Sequence, residues 1–132
     1  MAYNTAFKLL PKKWNWQTLH DLITNSARPY KVYTALVTQT GTDAPTAIVL
    51  ENTLGNITFT RTGVGVYHIV SDGLFTIDKT FFPRPQPDTV ADDISVVFTS
   101  PSIIGFYGLA DGITLSDDGL INNCPFEIRV YN

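Results

Sequence analysis

Two histidines, one cysteine and a scatter of serines and carboxylates are what the chain offers for catalysis. Nucleophilic catalysis needs a serine or cysteine, a base within reach and a third group to orient the base. His20 and His68 have no such partner nearby in sequence, and His68 alternates with Tyr67 and Ile69 as a strand residue does. No serine falls in an elbow or triad setting. Cys124 precedes an apolar strand and reads as a small buried residue; as the single cysteine it has no intrachain disulfide partner. The glycines of Thr60-Arg61-Thr62-Gly63-Val64-Gly65 lack the strand–glycine–helix unit of a phosphate loop. Carboxylates cluster at Asp88/Asp92/Asp93 and at Asp111/Asp117/Asp118, where loop oxygens could hold Ca²⁺. The order of ligands is not that of an EF-hand, and Asx turns account for these aspartates without an ion. No Cys/His cluster has metal-ligand spacing. The chain therefore reads as non-enzymatic, with no metal and no cofactor.

Aromatic rings are the other chemically useful group, at 12% of residues. Exposed rings stack on sugars and on single-stranded nucleic acid. Most of these rings fall in alternating apolar runs and belong to a core; Tyr33, Tyr67 and Tyr107 are the candidates to face a ligand. Residues 30–132 hold five basic against eleven acidic groups, a net of −6, which disfavours nucleic acid. Residues 1–29 are the reverse: Lys8, Lys12, Lys13 and Arg28 against Asp21, a net of +3. Such an arm can dock on an acidic neighbour, with Lys8, Lys12 and Lys13 as the basic docking residues, or its lysines can simply solvate a terminus.

These groups must be positioned by two kinds of element. In the arm, Asn15 is placed to cap a short helix over Trp16–Thr24, with Trp16, Leu19, His20 and Ile23 on one face. Asn25 to Pro29 ends it, because the residue before proline leaves the helical region. A helix this short needs a surface to pack on. From Tyr30 the period becomes two, with runs at Tyr30–Gln39, Thr46–Asn52, Ile57–Thr62, Val66–Val70, Thr80–Phe82, Ile94–Thr99, Ile103–Leu109 and Phe126–Tyr131. Phe75 and Ile77 make a short strand or a core plug. Thr46–Asn52 is apolar on both faces, which predicts a central strand. Pro83, Pro85 and Pro87 exclude Phe82–Ala91 from a paired central strand. The expected fold is all-β: an antiparallel sandwich of about eight strands, jelly-roll or immunoglobulin-like, over residues 30–132, preceded by the helical arm of residues 1–29.

Charged residues make up only 16% of the chain, against about 25% in an ordinary globular protein. Either a partner covers part of the surface, or the surface is rich in Thr, Ser and Asn; covered surface leads narrowly. No apolar run reaches the ~18 residues of a membrane span, and Lys8, Pro11, Lys12 and Lys13 interrupt the only stretch that could resemble a signal peptide. The expectation is a protein made in the cytoplasm of its producing cell, with no membrane partner.

The stretches YKVYTAL (30–36), TQTGTDAP (38–45) and VLENTLG (49–55) resemble a recurrent β module of virion structural proteins in tailed bacteriophages, notably crAss-like and related phages of Bacteroidetes. Gly65-Val66-Tyr67, Thr76 to Phe81 and Glu127 to Tyr131 look like later parts of the same module. The resemblance covers roughly residues 30–132 and leaves out the arm. It implies a structural protein of the virion, a head fibre, its anchor or a decoration protein at the capsid surface, assembled in the host cytoplasm. It also implies a homo-oligomer, with a trimer favoured, in contact with capsid or fibre components. It brings no catalytic residues. On this reading Trp14, Trp16, Leu19 and Ile23 anchor the arm to the particle or to a sister chain. The competing expectation is a carbohydrate-binding or host-attachment module of a phage appendage.

Overall fold

The computed structural model describes residues 16–82, 85, 93–110, 114–115 and 118–132. One helix, α1 (Trp16–Ala27), precedes nine strands among these residues: β1 (Tyr30–Thr38), β2 (Thr46–Asn52), β3 (Thr58–Gly63), β4 (Val66–Val70), β5 (Thr80–Phe81), β6 (Asp93–Ser100), β7 (Ile103–Ala110), β8 (Thr114–Leu115) and β9 (Cys124–Tyr131). The helix runs one turn beyond the expected Thr24 and stops before Arg28-Pro29, where the proline forbids another helical residue. Pairing is antiparallel throughout, in two sheets ordered β2-β1-β9-β5 and β3-β4-β7-β6, with β8 extending β7. This is an all-β sandwich.

Alternation decides which side chains meet between the sheets. On β1, Tyr33, Ala35 and Val37 point inward and are buried; on β9 the same is true of Cys124, Phe126, Ile128 and Val130. The register sets Ala35 opposite Phe126, so the small residue makes room for the ring. The second sheet contributes Tyr67 and Ile69 from β4, Ile94 from β6, and Ile104 and Phe106 from β7. Phe106 is the centre of the core: its ring lies 5.1 Å from Tyr67, 6.1 Å from Phe59 and 5.1 Å from Phe126 of the facing sheet. Phe75 is a core plug and not a strand. It is held by the Ser71 to Phe75 loop, whose Ser71 and Phe75 N–H groups bond the Ser102 and Pro101 carbonyls. Ile77, by contrast, is exposed.

One expectation is corrected. β2 is an edge strand, because the C-terminal strand β9 takes the inner place beside β1. Ala47 turns to the core, but Ile48, Val49 and Leu50 are 62%, 50% and 61% exposed. Thr34 pairs with Glu51 and Ala35 with Val49, so Leu50 is the extra residue of a bulge. The strand ends in an Asx turn, with Asn52 Oδ1 accepting the Leu54 and Gly55 N–H groups at 3.0 and 3.1 Å. Gly55 sits at φ +139°, and a Cβ there would lie 2.7 Å from Leu74 Cδ1; only glycine fits.

Candidate functional site

The densest polar constellation surrounds Asp118. Its carboxylate accepts from Arg61 Nε at 3.0 and 3.1 Å, from Arg61 Nη2 at 2.7 Å, from the Gly65 N–H at 3.1 Å and from the Tyr67 hydroxyl at 2.8 Å. Arg61 comes from β3, Tyr67 from β4 and Gly65 from the hairpin between them. The next residue in the turn, Gly119, donates its N–H to Gln39 Oε1 at 2.6 Å, and Gln39 itself donates to the Gly41 and Asp43 carbonyls. One turn is thus tied to the ends of both sheets, and Ile121, fully buried, follows as a plug.

Chemically this is a clamp. The Arg61 guanidinium, joined by the Gly65 N–H and the Tyr67 hydroxyl, holds the Asp118 carboxyl far below the usual carboxylate range. Burial, reinforced by hydrogen bonding to that carboxylate, pushes the Tyr67 phenol far above its usual value. A carboxylate satisfied by four donors is a poor proton acceptor near neutrality. Removing one of its partners gives a modest loss: Tyr67→Phe is expected to lower unfolding free energy by about 1–2 kcal/mol, read from the urea midpoint.

The aromatic candidates are corrected by burial. Tyr33 and Tyr67 are 2% and 1% exposed and face the core, and burial raises the Tyr33 phenol pKa. The alternation held the signal, since Tyr33 shares its face with Ala35 and Val37, and Tyr67 shares its face with Ile69. Tyr107 is half-buried on β7. Tyr30, Tyr131 and Phe81 face outward together, on the far side of the β2-β1-β9-β5 sheet. Tyr131 lies 5.1 Å from Tyr30 and 5.3 Å from Phe81, and Arg129 stacks 4.9 Å over Tyr30 while pairing with Glu127. Cross-strand register gathers them: Tyr30 pairs with Tyr131 and Phe81 with Arg129.

Of the arm anchors, Trp16 is 85% exposed, Ile23 is exposed and Leu19 is half-buried. Trp14, Lys8, Lys12 and Lys13 lie outside the described residues, as do Asn15 and most of the proline segment. Arg28 pairs with Glu51, which ties the end of α1 to the end of β2. His68 is half-buried on β4, between Thr60 and Gly105, and His20 is exposed on α1. Among the described residues no group of three His, Cys, Asp or Glu side chains could hold a metal ion, and no helix is long and apolar enough to cross a membrane.

The class defined by these features is a β-sandwich whose Asp118 cluster is locked into structure and which exposes apolar side chains along β2 and on α1, as well as singly at Val64, Ile77, Phe81 and Val97. No family model, curated protein or solved structure matches the chain.

Proposed function

We propose that this chain is a non-enzymatic structural protein of a tailed-phage virion, a head fibre, its anchor or a decoration protein at the capsid surface, and that its copies associate through the β2 edge. The observation that carries the reading is the row Ile48, Val49 and Leu50, exposed on a strand whose outer hydrogen-bonding edge has no partner among the described residues. An uncharged aliphatic edge is a template for association unless something covers it. Glu51, the one ionised residue of β2, is already neutralised by Arg28. The same strand lies in the segment that most specifically resembles the virion module. The exposed Trp16 and Ile23 supply a second contact element, in keeping with an arm that docks on a capsid protein, a fibre protein or a sister chain.

Light scattering on the purified protein tests this. The native chain should run as a homo-oligomer, with three copies favoured. Val49→Lys should weaken association by about tenfold or more while leaving the circular dichroism of the sandwich intact. A monomeric native chain at micromolar concentration, or an oligomer indifferent to Val49→Lys, would refute the edge as the contact. Deletion of residues 1–29 should abolish incorporation into particles; normal incorporation would exclude the arm as anchor.

A further inference from the structure

The outer side of the β2-β1-β9-β5 sheet carries a short apolar row that reaches the solvent. Leu36 stands between the inward Ala35 and Val37 on β1, so it points away from the core. Register sets Ile48 of β2 beside it on one side and Pro125 of β9 on the other. Ile48 and Pro125 are exposed and Leu36 is half-buried. Polar rows frame this one. Glu51, Thr34 and Glu127 form the row on one side, with Glu51 held by Arg28 and Glu127 by Arg129. Thr46 and Thr38 lie on the other, and the Thr38 hydroxyl bonds Asn123. Ile48 joins the apolar row to the exposed β2 edge.

Helix α1 presents a matching set of side chains. Trp16, Gln17, Thr18, His20 and Ile23 are exposed and Leu19 is half-buried, so these side chains lie largely in solvent. Trp16, Leu19 and Ile23 share one face at i, i+3, i+7. A helix of 12 residues is marginal in water on its own and needs a surface to pack on. Its own outer sheet face is not that surface, because Trp16 and Ile48 both face water.

We infer that α1 of one copy lies on the Ile48, Leu36 and Pro125 row of the next, so that copies associate head to tail by exchanging helices. The inference rests on the reading that copies meet at the β2 edge, and it names what meets that edge. The spans agree. Trp16 to Ile23 covers about 10 Å of helix at 1.5 Å per residue, and the row covers about 10 Å over two strand spacings. The charges agree as well. Residues 1–29 carry a net of +3 and residues 30–132 a net of −6, so the arm of one copy is drawn to the body of another, while two bodies repel. A helix laid over an aliphatic edge also keeps it from open-ended strand pairing. Each copy gives one helix and receives one. Such a heterologous contact can close into a ring, and a closed ring of three leaves no helix and no row over.

A mixing experiment on the full chain tests it. Trp16→Glu with Ile23→Glu disables the helix, and Ile48→Lys with Pro125→Lys disables the row. All four positions are exposed, so circular dichroism should keep the signal of the sandwich. By light scattering, each double variant alone should associate at least about tenfold more weakly than the native chain. Mixed in equal amounts, they should form a complex of two chains, because the intact helix of the row variant finds the intact row of the helix variant. If β2 edges paired only with each other, the helix variant would assemble as the native chain does. That result overturns the exchange alone and leaves the β2 edge to the Val49→Lys measurement. Failure of that variant to enter particles while its oligomer stays intact would also overturn the exchange, and would assign α1 to a capsid or fibre protein. A mixture that stays monomeric overturns it too. A monomeric native chain would overturn both this inference and the reading beneath it.

Discussion

Phe106→Ala is expected to lower unfolding free energy by about 3–5 kcal/mol, the range for a large aromatic deleted from a core that cannot collapse around the gap. The ring is fully buried, and three other rings surround it: Phe59 and Tyr67 from its own sheet and Phe126 from the facing one. Relaxation is blocked on each side. Tyr67 is held by its hydroxyl on Asp118, and Phe126 stands opposite Ala35, on a β9 paired on both edges. Domains of this size have about 5–15 kcal/mol in total, so the variant should lose roughly a fifth or more of its stability. The measurement is the urea midpoint at constant m value. Phe81→Ala, which removes an exposed ring, should stay within about 0.5 kcal/mol of the native chain. A loss below about 1.5 kcal/mol for Phe106→Ala would mean that the sheets are joined elsewhere.

Local alternation made most of the fold legible. Ile94, Phe126, Ile128 and Val130 point inward as period two demands, and the strand boundaries fall within a residue or two of the breaks made by glycine, proline and aspartate. What alternation does not encode is which strand lies beside which. Apolar residues on both faces of Thr46–Asn52 describe a strand between two partners equally well as a strand awaiting one from outside the chain. Only the pairing of β1 with β9, across most of the chain length, decides it. The Asp118 clamp was hidden for the same reason. Arg61 and Asp118 are 57 residues apart, and only folding joins the β3–β4 hairpin to the turn. A faint signal existed: a single arginine among the threonines of a half-buried strand needs an acidic partner. The outward-facing rings Tyr30, Phe81 and Tyr131 were likewise gathered by register and not by spacing.

That clamp should govern how the protein responds to pH. In the folded chain the Asp118 carboxyl titrates far below its unfolded value of about 4, chiefly because of the Arg61 hydrogen bonds. The sign follows from proton uptake. Below pH 4 the unfolded chain binds a proton that the folded chain refuses, so the stabilisation present above that pH is lost as pH falls. Tyr67 acts at the other end of the scale. Its folded pKa is raised, mainly by burial, so its contribution is complete below about pH 10 and is lost as pH rises beyond. Asp118→Asn keeps the shape of the side chain but removes its charge. It leaves the Arg61 guanidinium, whose side chain is 21% exposed, without a counter-ion, and it turns one acceptor oxygen into a donor facing donors. The thermal midpoint at pH 7 should fall further than for Tyr67→Phe, since the variant disturbs every bond of the clamp while the phenylalanine removes one. Between pH 4 and pH 2 the native midpoint should fall more steeply than that of Asp118→Asn, so the two curves converge. Parallel curves across that window would show that the carboxylate is not held in this state, and the turn would then owe its place to Gln39 and Ile121 alone.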